Sequence, residues 1–207
     1  IKKDGLRASD SWCGQFMITS ALRRREIAFQ HIPTCFPEER VFTEWVQQFV
    51  RACAATSGFR NARIGEIGPR PEEFESVWWD EASLQKAFGQ TVVPVDLDDV
   101  FYRVESLPAD AAKVRATLRE MKEGVEWESI PERPLTNLAR YEVALQGLAK
   151  EKELDALAVN CWPRVQQRLG ISVCAALGRL SDRGLPCACE VDIYGAATLL
   201  AAYNAGL

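Results

Sequence analysis

Histidine is almost absent from this sequence: 207 residues contain one, His31. Chemistry that needs two histidines is therefore excluded within these residues. No C-x-x-C pair occurs among the seven cysteines, so a structural zinc site of the finger or ribbon kind is not expected. Long apolar runs are missing as well. The longest, Gly195 to Tyr203, falls far short of the roughly 20 residues that span a bilayer, which argues against a membrane protein. There is no excess of basic charge. The net charge is -4, so nucleic acid is not the default partner. No methionine opens the sequence, so the lack of a recognisable targeting segment carries no weight.

What is present suits a globular domain. Hydrophobic residues make up 47% of the sequence and charged residues 26%, enough for a real core in a single domain over residues 1–207. The cysteines (Cys13, Cys35, Cys53, Cys161, Cys174, Cys187 and Cys189) are odd in number and irregular in spacing. Several lie in apolar runs, as buried free thiols do, and a reducing cytoplasm is the expected location.

Short apolar runs alternate with longer helical patterns. Strands are predicted at Ile27–His31, Ala62–Ile67, Thr91–Val95, Ala156–Asn160 and Pro186–Cys189. Helices are predicted at Ser11–Arg25, Pro37–Thr56, Asp80–Phe88, Asp96–Ser106, Ala109–Glu123, Leu135–Lys152, Pro163–Asp182 and Asp192–Asn204. The expected fold class is α/β: a doubly wound, mostly parallel five-stranded sheet with helices on both faces. Residues 108–153, rich in Lys and Glu and punctuated by Pro131 and Pro134, read as a helical insertion between the third and fourth strands. Ligands of such a sheet bind beyond the carboxyl ends of the strands. Those ends would carry His31-Ile32-Pro33, Glu66 to Pro71, Asp96, Asn160-Cys161-Trp162-Pro163 and Glu190-Val191-Asp192.

Glu190 and Asp192 sit where a short buried strand ends and a helix begins. In an extended segment, residues two apart point to the same side, and two carboxylates there repel unless a cation such as Mn²⁺ or Mg²⁺ joins them. From spacing alone the first reading is that Asp192 caps the helix and Glu190 pairs with an arginine, with the metal site second. Asn160 and Trp162 suit a polyol, offering an amide and an aromatic face, but Trp162 could equally be a core residue with Pro163 starting the next helix. Cys161 would need a nearby base to act as a nucleophile, and none is evident. The turn Gly65 to Pro71 lacks the third glycine of a phosphate loop, and its prolines remove donors, so nucleotide binding is rejected there. Glu66 remains a residue that could face a ligand. Of the adjacent pair Trp78 and Trp79, one is expected in the core and the other partly exposed.

Three segments carry a family resemblance: Asp155 to Pro163, Cys174 to Gly184, and Pro186 to Ala197 with its Cys189-Glu190-Val191-Asp192 core. Together with Arg63 to Phe74 and Ala87 to Thr91, they resemble the L-fucose isomerase and L-arabinose isomerase superfamily over about residues 60–205. The resemblance implies the central part of a longer, metal-dependent aldose–ketose isomerase acting on a free pentose or 6-deoxyhexose. It further implies Mn²⁺ or another divalent cation, a small-molecule sugar as partner, and a homo-oligomer. Glu190 and Asp192 would lie in the segment that supplies a metal carboxylate and the catalytic groups, and Asn160, Trp162 and Glu66 would lie near the sugar. Two departures stand out. The stretch Trp162 to Gln166 has no acid where the family has an earlier carboxylate ligand, and no histidine follows. The competing expectation is a non-catalytic sugar-binding or oligomerisation domain.

Overall fold

A computed structural model of the chain describes residues 11–32, 34–123 and 129–207. Pro33 of the predicted rim and residues 124–128 of the predicted insertion lie outside the described residues. The chain divides into two units, Ile1–Gln48 and Phe49–Leu207. The first contains helix α1 (Ser11–Arg24) and the opening turns of α2 (Arg40–Phe59), and α1 buries none of its residues. The predicted first strand is not formed: residues 27–32 have no regular structure, and Ile27 and Phe29 are exposed. Their alternating pattern favours extended backbone, but no neighbouring strand completes a ladder there.

The second unit is a four-stranded parallel sheet with helices on both faces. The strands are β1 (Arg63–Ile67), β2 (Thr91–Val95), β3 (Ala156–Val159) and β4 (Cys187–Cys189), in the order β2-β1-β3-β4. The sheet therefore has four strands where five were predicted. Side chains alternate across it. Ile67, Val95, Leu157, Val159 and Cys187 face one layer, and Ile64, Val92, Ala156, Ala158 and Ala188 face the other.

The first layer is built from α4 (Leu97–Ser106), α5 (Ala112–Lys122), α6 (Glu132–Lys152), α7 (Arg164–Leu169) and α8 (Cys174–Asp182). The predicted single helix over 163–182 is two helices, because Gly170 adopts a left-handed φ of 67° and closes α7. Ile171 and Val173 then turn into the core. In this layer Glu142 is fully buried, and its two oxygens accept from Arg179 Nε at 2.9 Å and Arg183 NH1 at 3.1 Å. Glu120 on α5 joins the same two arginines, so the network ties α5, α6 and α8 together.

The second layer holds α3 (Glu81–Phe88), α9 (Ile193–Asn204) and the end of α2. The sheet face beneath α9 is lined with Ala156, Ala158 and Ala188, and α9 answers with Ala196 and Ala197. Small residues on both sides let the helix lie close to the strands. Aspartates start three of these helices: Asp80, Asp96 and Asp192 accept backbone N–H groups of Ser83, Asp98 and Gly195.

Candidate functional site

The chain crosses from β1 to β2 on one side and returns to β3 on the other, so the strand order reverses between β1 and β3. That is where an open α/β sheet forms its ligand crevice. At this point the chain is stitched shut. Asn160 Nδ2 donates to the Pro69 carbonyl at 2.6 Å, and its backbone N–H donates to Ile67. Gly68 has a φ of 77°, and a Cβ there would stand 3.1 Å from the Cβ of Asn160. Asn160 is only 4% exposed, yet its Oδ1 has no hydrogen-bond partner among the described residues. The Gly65 to Pro71 turn is held by its own groups, since Arg70 donates to the carbonyls of Pro71 and Glu72. Arg70 also stacks over exposed Trp78, while Trp79 packs against the α9-side core.

The crevice is displaced one strand further, to the carboxyl ends of β3 and β4. A pocket of about 390 Å³ there is lined by Glu73, Phe74, Cys161, Trp162, Gln166, Ser172, Val173, Cys174 and Glu190. Its size falls in the range of small-molecule sites. Trp162 is 39% exposed and meets Phe74 edge-on, with ring centroids 6.4 Å apart. A larger cleft of about 600 Å³ between α4, α6 and α7 is lined by helix and loop residues, none of them at a strand end.

Glu190 and Val191 both have positive φ, 56° and 59°. A β-branched residue in the left-handed region is strained, and such strain concentrates at functional positions. The turn is pinned nonetheless. Val191 is fully buried, its N–H donates to Val159, and the N–H of Asp192 donates back to Cys189. The two consecutive left-handed residues take Glu190 and Asp192 out of the extended geometry that would align them. Glu190 lines the pocket. Asp192 instead caps α9, its Oδ1 accepting from the Gly195 N–H at 2.7 Å.

The five residues singled out by sequence are thus distributed. Glu190 and Trp162 share the pocket, Asn160 is buried behind it, and Asp192 caps α9. Glu66 lies in the row of Ala158 and Pro94, on the α9 side of the sheet. Burial raises the pKa of Glu66, and the Glu81 carboxylate raises it further.

The sequence reading did not single out Glu73, Phe74 or Gln166, and it weighed Cys161 only as a nucleophile. Cys161, Cys189 and Glu190 each place a ligand atom within 4.8 Å of the others. Burial raises the Cys161 pKa and pushes that of Cys189 up to about 11. A thiol in that state is a poor nucleophile, which agrees with the absence of an activating base. The signal was present as two cysteines at the ends of separate strands, but it became legible only with the strand order.

The fucose/sulfoquinovose isomerase N-terminal domain family matches residues 2–60, ahead of the motif-bearing strands. Sulfoquinovose isomerase of Alkalicoccus urumqiensis is 28% identical over 163 residues, 79% of this chain and 36% of that protein. The sulfoquinovose isomerases of Priestia aryabhattai and of Clostridium sp. (strain MSTE9) are 26% and 24% identical over 163 and 164 residues, again covering 79% of this chain. The chain spans 36% of the length of these curated relatives. The family match at one end and the relatives along most of the chain point the same way, and together they support similarity of this chain to the fucose and sulfoquinovose isomerases.

Proposed function

We propose that the full-length protein is a divalent-cation-dependent aldose–ketose isomerase, with this chain supplying one wall of its sugar pocket. The substrate class proposed is a free aldose deoxygenated at C6, and first among these is sulfoquinovose, the sugar named for the relatives. The observation that carries the reading is the pocket at the ends of β3 and β4. It combines two aromatic rings, Trp162 and Phe74, with the carboxylates of Glu190 and Glu73 and the polar Gln166 and Ser172. Aromatic faces suit the C–H groups of a sugar, and the polar groups suit its hydroxyls.

Aldose–ketose interconversion moves a proton between C1 and C2 through an enediolate. A carboxylate can take the proton from one carbon and return it to the other. We assign that role to Glu190, which lines the pocket on a turn whose backbone is fixed from both sides by Val159 and Cys189. A divalent cation, Mn²⁺ by the family resemblance, would lower the cost of the enediolate charge. Octahedral Mn²⁺ takes about six hard oxygen donors. The described residues gather at Glu190 one carboxylate and two thiols, with Asp192 committed through Oδ1 to its cap. These residues alone do not complete such a set, so the remaining oxygen donors would come from the part of the full-length protein outside this chain, and no step is assigned to the cation here. Homo-oligomeric assembly, implied by the same resemblance, belongs to the proposal too.

The test is an isomerisation assay on the full-length protein with sulfoquinovose, L-fucose and L-arabinose. Each is offered with Mn²⁺ and after chelation. Conversion of sulfoquinovose to its ketose, lost on chelation and restored by the cation, is expected. A protein that binds these sugars without converting any of them would instead be a binding protein.

A further inference from the structure

The larger cleft, about 600 Å³ between α4, α6 and α7, shares no lining residue with the pocket at the ends of β3 and β4. Its role is therefore independent of the isomerase reading. We propose that this cleft binds a phosphate monoester of a small polyol, held through Arg133 and Arg140.

The charges set the sign of the ligand. The charged side chains in the lining are Glu105, Glu132, Arg133, Arg140 and Arg168. Arg168 is committed: its Nε and Nη2 donate to the two oxygens of Glu105 at 2.9 and 3.1 Å, and its Nη1 lies 3.3 Å from Asp98. Arg133, Arg140 and Glu132 form no ion pair among the described residues. Two uncommitted guanidiniums thus stand against one uncommitted carboxylate. Arg140 is half-buried. Its Nη1 reaches Asn137 Oδ1 only at 3.4 Å, and its Nε is buried with no acceptor among the described residues. A guanidinium drawn out of water without a countercharge is costly, and an anion in the cleft supplies one. The wall that carries Arg140 is fixed, because Asn137 Nδ2 donates to the Leu169 carbonyl at 2.9 Å and ties α6 to the end of α7.

The shape and the remaining groups set the class. Helix α6 is 21 residues long and begins at the cleft, with Glu132, Arg133 and Thr136 in the lining. Pro131 gives its first turn no side-chain cap, so the positive end of the helix dipole adds to the two arginines. Guanidinium forks match the oxygens of a phosphate dianion. A bare ion would fill little of the roughly 600 Å³, so the ligand needs a body. Thr136 and Asn137 offer partners for hydroxyls, and Val104, Ala109 and Leu169 offer apolar contact for C–H groups. Helix α7 belongs to both sites: Gln166 lines the pocket at the strand ends, while Arg168 and Leu169 line the cleft. Occupancy of the cleft therefore bears on one wall of that pocket.

The test is calorimetric titration of the full-length protein with glucose 6-phosphate, fructose 6-phosphate, glycerol 3-phosphate and inorganic phosphate. At least one of the three esters should bind with one equivalent per chain, and more tightly than inorganic phosphate. Arg133→Gln and Arg140→Gln should each weaken that binding by more than about tenfold. Arg119→Gln, at an exposed position on α5 outside the cleft, should leave it unchanged. Circular dichroism of each variant reports that it is folded. Hydrogen exchange with the ester bound should slow at the first turns of α6 and over residues 104–109. Absence of binding by all three esters overturns the proposal. So does binding that survives both arginine substitutions in the cleft, or binding no tighter than that of inorganic phosphate. Protection confined to the ends of β3 and β4 overturns it too, because the ester would then sit in the other pocket. Since the readout is binding alone, a negative sugar assay leaves this result standing, and the reverse holds as well.

Discussion

At the end of β1, Glu66 is half-buried on the α9 side of the sheet, and burial followed by the nearby Glu81 carboxylate raises its pKa. A group whose folded pKa is raised costs stability once the pH passes its unfolded value, and the cost is complete above the folded value. Glu66 is therefore harmless in acid and destabilising at neutral pH. Glu66→Gln should raise the thermal midpoint at about pH 7 and leave it unchanged at about pH 3. A midpoint that rises equally at both values would show that charge is not the cause. Cys161 and Cys189 show the same tension between burial and ionisation, since burial raises the pKa of both thiols.

Among the elements, α6 and α9 are held by opposite means. On α6, Glu142 is a fully buried charge that accepts from Arg179 on α8 and from Arg183 just beyond its end. Removing one partner of a buried ion pair strands the other and costs about 3–5 kcal/mol, less where the partner reaches water. Arg179 and Arg183 keep 23% and 37% of their side-chain exposure. Glu142→Ala should therefore lower unfolding stability by about 2–4 kcal/mol, measured by urea titration, with α6, α8 and the core beneath them affected together. A loss below about 0.5 kcal/mol would mean the network adds nothing beyond packing. On α9 no such network is present among the described residues, and Ala196 and Ala197 meet the sheet beside Ile193 and Leu200. Ala158→Leu should cost about 1–3 kcal/mol by forcing the helix off the sheet.

At the scale of the molecule, β1–β4 and α3–α6 match the sequence reading to within about three residues, because each combines a clear period with an Asp cap, a Gly stop or a Pro boundary. The strand at Ile27–His31 failed because pairing is a tertiary property that local pattern does not contain. The helix over 163–182 was read through Gly170, whose left-handed φ ends it. The site was legible in part. Glu190 and Trp162 stand out in sequence and meet in space. Phe74 and Glu73 come from the far side of β1, more than 80 residues earlier in the chain, and no spacing rule joins them to Trp162. The cap at Asp192 was one of the two readings open in sequence, but the turn that carries Glu190 to the pocket was not legible, since it depends on two positive φ angles at residues that rarely adopt them. The central claim is that sugar chemistry takes place at the ends of β3 and β4, with Glu190 in the role of proton carrier. It is tested most directly by kcat of the Glu190→Gln variant of the full-length protein on the aldose that the wild type converts. The account predicts a fall of at least about 100-fold with the thermal midpoint preserved. An unchanged kcat in a folded variant would contradict it.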